Sequence, residues 1–234
     1  MEIAESFSSV FDKAPCVLIK SHCEIHEHNQ GASFTNLKLV NDGEEIFLLD
    51  NQFYKNSHEK IIDWSSNLSD LDSDGFLITE INGRKFIVVS ELKSALDSRD
   101  LLKAYKQIVF TYIKCYMLLS LCSTFQAEEF DIIGIIACKP PKDKKQNDYL
   151  KDTYLQLMNS SLGSIQPDVR LMVRLFMEKH IKAKLGNIPF LKKMNLHNDL
   201  SSSSFRLYLL MPDSYEKSEM KVNLVDLLKS DKAL

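Results

Sequence analysis

The residues best suited to chemistry in this chain are two acids and a lysine, which stand at the ends of two neighbouring apolar segments. Asp74 opens the segment 75–80, and Glu91 and Lys93 close the segment 84–93. Two carboxylates directed at one point favour a hard divalent cation, because the cation relieves their repulsion and Mg²⁺ and Mn²⁺ prefer oxygen ligands. A lysine beside such a cation can orient water or offset charge on a phosphate. These residue types therefore predict metal-assisted chemistry on a phosphate.

A predicted hairpin brings the three side chains together. Asn82-Gly83 lies between the two apolar runs, and an Asn-Gly pair in that setting is typical of a two-residue β-turn. Asp74 and Glu91 each lie eight residues from the turn, so they meet at the open end of the hairpin. Side chains alternate along a strand, so Glu91 and Lys93 share one face and Leu92 points to the opposite layer.

The sequence Asp-Gly-Phe-Leu from Asp74, the sequence Glu-Leu-Lys from Glu91 to Lys93 and the amphipathic helix after them resemble the PD-(D/E)xK nuclease superfamily. The resemblance covers Asp74 to about Cys138. It implies a restriction-endonuclease-like α/β (α+β) core, with a central mixed β-sheet flanked by helices in the order helix, three strands, helix and strand. It also implies cleavage of phosphodiester bonds with Mg²⁺ or Mn²⁺. Ser73 stands where the family pattern has proline.

The resemblance assigns a role to each residue of the predicted site. Asp74 and Glu91 are expected to bind one or two metal ions, with the backbone carbonyl of Leu92 completing the shell. Lys93 is expected to orient the attacking water or to neutralise charge on the phosphate. Gln107, from the helix that follows, is expected to steady the lysine, the water or the phosphate.

Other candidates stay open at this point. Many family members carry glutamine and tyrosine four residues apart on this helix, whereas here Gln107 is followed by Thr111 and then Tyr112. The family often adds an acid from the first helix, and the spacing does not choose between Glu2 and Glu5.

Further charged residues lie close to the candidate site in the sequence. Asp70 and Asp72 alternate with Asp74 but are assigned to the segment that enters the strand. Lys103 and Lys106 are either nucleic-acid contacts or solvated helix lysines.

The remaining elements follow from hydrophobic periodicity and turn residues. The strands are expected within 16–50, including a hairpin between 34–40 and 44–50, and at 132–138 and 205–211. The helices are expected at 2–13, 57–67, about 99–122, about 148–159 and about 168–185.

Composition bounds the class of protein. The chain has 234 residues, of which 44% are apolar and 26% charged, with a net charge of -3. These values are typical of a soluble globular protein. We expect one nuclease-like domain over 1–234, with a core at about 1–140 and a C-terminal addition at about 141–234. No run approaches the ~18 apolar residues of a membrane span, and the N-terminus lacks a signal segment, so a cytoplasmic protein without a membrane partner is expected.

Three functional hypotheses follow. The leading one is a nuclease in restriction, phage defence or repair, with DNA favoured over RNA and a homodimer or a protein partner allowed. The second is a catalytically inactive nuclease-fold module that binds protein or nucleic acid. The third is a viral-type RNA endonuclease, which needs a histidine near the acids, and the candidates are His22, His26, His28 and His58.

Overall fold

The computed structural model describes residues 2–11, 16–58, 71–95, 98–159, 167–192, 194 and 196–230. Within these residues, eight strands form one central mixed β-sheet, and helices flank it. The predicted α/β class with a central mixed sheet is therefore confirmed. No helix in the described part of the chain is long and apolar enough to span a membrane.

The elements alternate along the chain. The strands are β1 Cys16–His26, β2 Asn36–Leu49, β3 Gly75–Ile81, β4 Arg84–Lys93, β5 Phe130–Cys138, β6 His180–Lys184, β7 Ser204–Leu210 and β8 Glu219–Asn223. The helices are α1 Glu2–Val10, α2 Asn51–His58, α3 Ser98–Leu119, α4 Lys144–Asn159, α5 Pro167–Glu178, α6 Asn198–Ser202 and α7 Leu224–Ser230. The sheet order is β1-β2-β3-β4-β5-β7-β6, with β8 pairing β2. β5 runs parallel to both β4 and β7.

The hairpin of β3 and β4 forms as predicted. Ile81 pairs with Arg84 across the turn, and the register continues to Gly75 opposite Ser90. Asn82 and Gly83 have φ values of 52° and 73°. Positive φ at both central positions is the requirement of a type I′ turn, which asparagine and glycine meet at low steric cost. Local sequence chemistry therefore sets this register.

The two faces of the sheet pack into separate cores. The core beside α1, α3 and α5 receives alternate residues of β3 and β4, namely Phe76, Ile78, Ile87 and Val89. The opposite core, which includes the ends of β1 and β2 and helix α7, receives Leu77, Ile81, Phe86, Val88 and Leu92. By the same alternation, Glu91 and Lys93 lie on the α3 face of the sheet.

Gly134 allows α3 to approach the centre of the sheet. A Cβ atom added to this residue would lie 2.7 Å from Cδ1 of Leu207 and 2.9 Å from Cγ2 of Ile108 and Cζ of Phe205.

We expect Gly134→Ala to lower the free energy of unfolding by about 1–3 kcal/mol, because a packed core resists added volume. Urea unfolding measures the change. Ala137→Gly on the same strand is the control, because it weakens the strand without adding volume to the core.

The predicted hairpin between 34–40 and 44–50 is wrong. β2 runs continuously from Asn36 to Leu49, and β1 pairs along both halves of it. Between the pairs Lys20–Glu45 and His22–Val40, four residues of β2 face one residue of β1. The side chain of Asn41, inside this bulge, donates to Thr79 Oγ1 at 2.8 Å and to the Glu80 carbonyl at 2.7 Å. These bonds attach the Asn-Asp-Gly segment to β3, so it forms a bulge instead of a turn.

The helix prediction for 168–185 also needs correction. The helix expected over 168–185 ends at Glu178, and β6 follows it. Lys179 has a φ of 65°, which no α-helix allows, and Lys182 of β6 pairs with Arg206 of β7. Sheet pairing therefore overrides the helical periodicity. The helix expected at 57–67 lies mostly outside the described residues, and α2 starts earlier, at Asn51.

Candidate metal centre

Asp74 and Glu91 lie side by side at the open end of the hairpin. The paired register of β3 and β4 ends with Gly75 opposite Ser90, next to Asp74 and Glu91 along the chain. The Asp74 amide donates to the Ser90 carbonyl at 3.0 Å, and Asp74 Oδ2 accepts from the Leu92 amide at 2.8 Å. Asp74 therefore attaches to the end of β4 through its own carboxylate, beside Glu91.

Burial raises the pKa values of both acids, and the charge of Asp74 adds to the rise at Glu91. Glu91 is only 1% exposed, and burial, followed by the charge of Asp74, raises its pKa to about 8 against the opposing effect of Lys93. Burial also raises the pKa of Asp74 to about 6, while the Leu92 amide lowers it. The negative charge of Glu27 contributes to the rise at both sites. Removing this repulsion is what a bound cation would do.

The two carboxylate oxygens of Glu91 differ in their partners. Its Oε1 forms an ion pair with Lys93 Nζ, whereas Oε2 is buried and has no hydrogen-bond partner among the described residues. A buried carboxylate oxygen without a partner costs free energy. A divalent cation at Oε2 would satisfy it, so the donor set fits a hard metal ion.

Lys93 connects the acids to helix α3. Its Nζ donates to Gln107 Oε1 at 3.0 Å as well as to Glu91. Gln107 Nε2 in turn donates to the Asp72 carbonyl at 2.7 Å. The structure thus brings Glu91, Lys93 and Gln107 into one hydrogen-bonded network next to Asp74, as the sequence predicts for the site.

One face of α3 fixes the segment that leads to Asp74. Residues 107, 111 and 114 follow the spacing of four and three that places side chains on the same side of a helix. Thr111 Oγ1 accepts from the Ser73 amide at 2.8 Å, and Lys114 Nζ pairs with Asp72 Oδ1 at 2.8 Å. The position of Asp74 therefore depends on α3.

Helix α2 holds the same segment from the other side. Tyr54 donates its hydroxyl hydrogen to the Ser73 carbonyl at 2.5 Å, and Asn51 Nδ2 donates to the Asp74 carbonyl at 3.2 Å. The segment 72–74 has no regular secondary structure, yet it forms hydrogen bonds with two helices. Such support limits the movement of the Asp74 carboxylate.

Sequence reasoning missed most of this support. The sequence assigns no role at the site to Thr111 or Lys114, and it assigns Asp72 only to the segment that enters the strand. A signal was present, because a lysine within the packed side of a helix requires a buried partner. Lys114 is 1% exposed, and nothing in the sequence identified Asp72 as the residue that meets it.

Several other candidates lie elsewhere or form no site. Tyr112 is buried in the core next to Tyr116, and its pKa is raised chiefly by burial. Glu2 lines a cleft with Thr79 and Lys85 near the hairpin turn, so it is no ligand at the open end. Glu5 stays a candidate for the additional acid, and Asp70 lies outside the described residues.

Among the residues that the structure describes, no histidine joins the two acids in a group that could hold a metal ion. His22 and His26 lie on β1, where they pair with Val40 and Asn36. In the part of the chain that the structure describes, no group of three or more His, Cys, Asp or Glu residues is placed to hold a metal ion. The candidate centre therefore rests on two carboxylates, Asp74 and Glu91.

The buried Lys114–Asp72 pair gives a testable expectation. Lys114→Met leaves the Asp72 carboxylate, 13% exposed, without its cation. We expect the free energy of unfolding to fall by about 3 kcal/mol, because a half-removed buried ion pair leaves an uncompensated charge. Urea unfolding measures this loss. The double variant Lys114→Met with Asp72→Asn should recover part of it, and a single variant within about 0.5 kcal/mol of the parent would contradict the assignment.

Comparison with known proteins finds no family model, no curated sequence and no solved structure that matches this chain.

Proposed function

We propose that this protein is a metal-dependent nuclease that hydrolyses phosphodiester bonds. The observation that carries the proposal is the convergence of Asp74, Glu91 and Lys93 at the open end of one hairpin, with Glu91 Oε2 buried and unpartnered among the described residues. Surface acids and lysines rarely show this combination of burial, raised pKa and shared network.

Asp74, Glu91 and the Leu92 carbonyl would hold the metal. The Leu92 amide points at Asp74 Oδ2, and the amide and carbonyl of one strand residue face the same neighbouring strand. The Leu92 carbonyl is therefore directed to the side on which Asp74 lies. When bound, Mg²⁺ or Mn²⁺ lowers the pKa of water and stabilises negative charge on a phosphate.

Lys93 would place a positively charged side chain beside the metal. Its side chain is 16% exposed, and its Nζ lies 3.0 Å from Gln107 Oε1. From this position it can donate to a phosphate oxygen or to the attacking water. Gln107 acts by orienting the lysine, since its amide is fixed in turn by the Asp72 carbonyl.

The order and pairing of the strands and helices support the prediction of a restriction-endonuclease-like fold. The antiparallel run β2, β3 and β4 is followed by α3 and by β5, which joins β4 in parallel. This is the order that the resemblance implies for the nuclease core, with α1 as the preceding helix. Restriction, phage defence and repair are the contexts proposed for such a protein, and a symmetric dimer is proposed if both strands of a duplex are cut.

Incubation of the protein with plasmid DNA, single-stranded DNA and RNA, each with Mn²⁺ and with EDTA, tests the proposal. We expect cleavage of at least one substrate with Mn²⁺ and none with EDTA. Intact substrates in every Mn²⁺ reaction would remove the nuclease assignment.

A catalytically inactive binding module is the second candidate. It is favoured by the Lys93 ammonium, which already neutralises Glu91 as a structural ion pair would. Mn²⁺ titration separates the two candidates, because a ligand that binds the folded state adds about 2.7 kcal/mol at 100 times its Kd. The nuclease proposal expects a rise in melting temperature with Mn²⁺, and an inactive module expects none.

A further inference from the structure

We propose that the phosphate backbone of the substrate runs from the metal centre into a cleft lined by Lys144, Lys151 and Lys179. This inference rests on the proposed nuclease function and names the surface that would bind the nucleic acid. Lys144 and Lys151 lie on α4 and Lys179 directly follows α5, and the fold brings the three together.

The cleft lies at the same edge of the sheet as the metal centre. Lys93 pairs with Cys138 at the ends of the parallel strands β4 and β5, and Ala137 pairs with Leu210 at the end of β7. The residues just beyond these strand ends, Pro140, Pro141 and Met211, line the cleft. Adjacent strands are about 5 Å apart, so the cleft begins roughly 5–10 Å from the end of β4.

The cleft also lies on the same face of the sheet as the metal centre. Lys93 and Cys138 are opposing residues, and Cys138 belongs to the core on the α3 and α5 face. Burial raises the pKa of Cys138 to about 12, and the positive charge of Lys179 opposes that rise. Phe176 of α5 forms the wall, with Lys179 Nζ 4.5 Å from its ring centroid. We place the nucleic-acid strand along this edge, from Lys93 towards Lys179.

The charge of the cleft favours an anion. Three lysines line it against one acid, Asp143, whose Oδ1 accepts from the Gln146 amide at the start of α4. Burial and the neighbouring charge of Lys151 lower the pKa of Lys179. Two lysines that repel each other gain from a phosphate between them. The positive end of the α4 dipole at Lys144 adds to this attraction.

The volume of the cleft, about 790 Å³, exceeds what a single small anion needs. Pockets of ~300–1,000 Å³ hold ligands of drug size, comparable to a nucleotide unit. Apolar groups of Pro140, Pro141 and Met177 contribute to its surface, which suits the sugar and base parts of a strand. A nucleic-acid strand is therefore the occupant that matches both the charge and the size.

The test compares two double variants that each remove two positive charges. The cleft variant is Lys151→Gln with Lys179→Gln. The control variant is Arg84→Gln with Lys182→Gln, which line a basic cleft near the hairpin turn, at the opposite end of the sheet. Binding of fluorescein-labelled single-stranded and duplex DNA is measured by anisotropy in EDTA, where no cleavage occurs, between about 50 and 200 mM salt. Melting temperatures verify that both variants fold.

We expect the cleft variant to raise the Kd for DNA roughly tenfold at low salt and to reduce the salt slope of log K by about 1.5, as for two lost phosphate contacts. The control variant should bind like the parent. Equal affinity of the parent and the cleft variant, or a larger loss in the control, would overturn the cleft while leaving the nuclease proposal intact if Mn²⁺-dependent cleavage persists. A parent that neither binds nor cleaves nucleic acid would overturn both proposals.

Discussion

Glu91→Gln is expected to lower metal-dependent cleavage by about 10³-fold or more. Glutamine keeps the size of the side chain but removes the charge that would hold the cation, and metal stabilisation of the transition state is worth several kcal/mol. Lys93→Ala should produce a loss of similar order, because it removes the protein's own cation at the site. Initial rates of cleavage at saturating Mn²⁺, measured for the parent and each variant, give the effect.

Glu80→Gln is the matched control for charge removal. Glu80 is an exposed carboxylate on the same hairpin, and it pairs with Lys85 near the turn instead of at the open end. This variant should cleave like the parent. If Glu91→Gln retains the activity of Glu80→Gln, the acid at position 91 has no part in catalysis and the assigned centre is wrong.

The metal-free protein is expected to lose stability as the pH rises. Glu91 has a pKa of about 8 in the folded state against an ordinary value of 4.5. The folded state keeps this proton while the unfolded chain releases it, so the stabilisation is complete below about pH 4.5 and disappears as the pH passes about 8. The difference corresponds to an upper limit of about 5 kcal/mol, reduced by coupling to Asp74. Urea unfolding in EDTA between about pH 5 and pH 9 measures the decline.

Glu91→Gln should remove most of this pH dependence, because the amide does not titrate. At about pH 8 the metal-free variant should be more stable than the metal-free parent, since it buries no charge. Mn²⁺ should reverse the order by stabilising only the parent. A parent whose stability is flat from pH 5 to pH 9 would show that Glu91 is ionised at no cost, which contradicts the buried and repelled carboxylate described above.

Sequence reasoning succeeded for the hairpin because its determinants are local. Asn82 and Gly83 fix the turn, and the alternation of apolar residues in the two strands fixes which side chains face α3. The separation of Asp74 and Glu91 from the turn then determines that they meet. None of these steps requires knowledge of distant parts of the chain.

The errors arose where distant parts of the chain compete with local preference. Asn41, Asp42 and Gly43 have the composition of a turn, yet bonds from Asn41 to β3 hold them in a bulge. The segment 180–184 continues a helical pattern, yet pairing with β7 makes it a strand. A local pattern cannot reveal which partner wins such a competition.

The sequence by itself determined the hairpin, the shared face of Glu91 and Lys93, and the alternation of strands and helices, because these follow from the turn chemistry and periodicity of contiguous residues. Only the tertiary structure decided that Gln107, Thr111 and Lys114 hold the segment before Asp74, that Glu91 is almost completely buried, and that lysines from two helical regions line a cleft beside the site. The raised pKa values of the two acids depend on burial and on charges brought from far along the chain. Those quantities exist only once the sheet and its helices have packed.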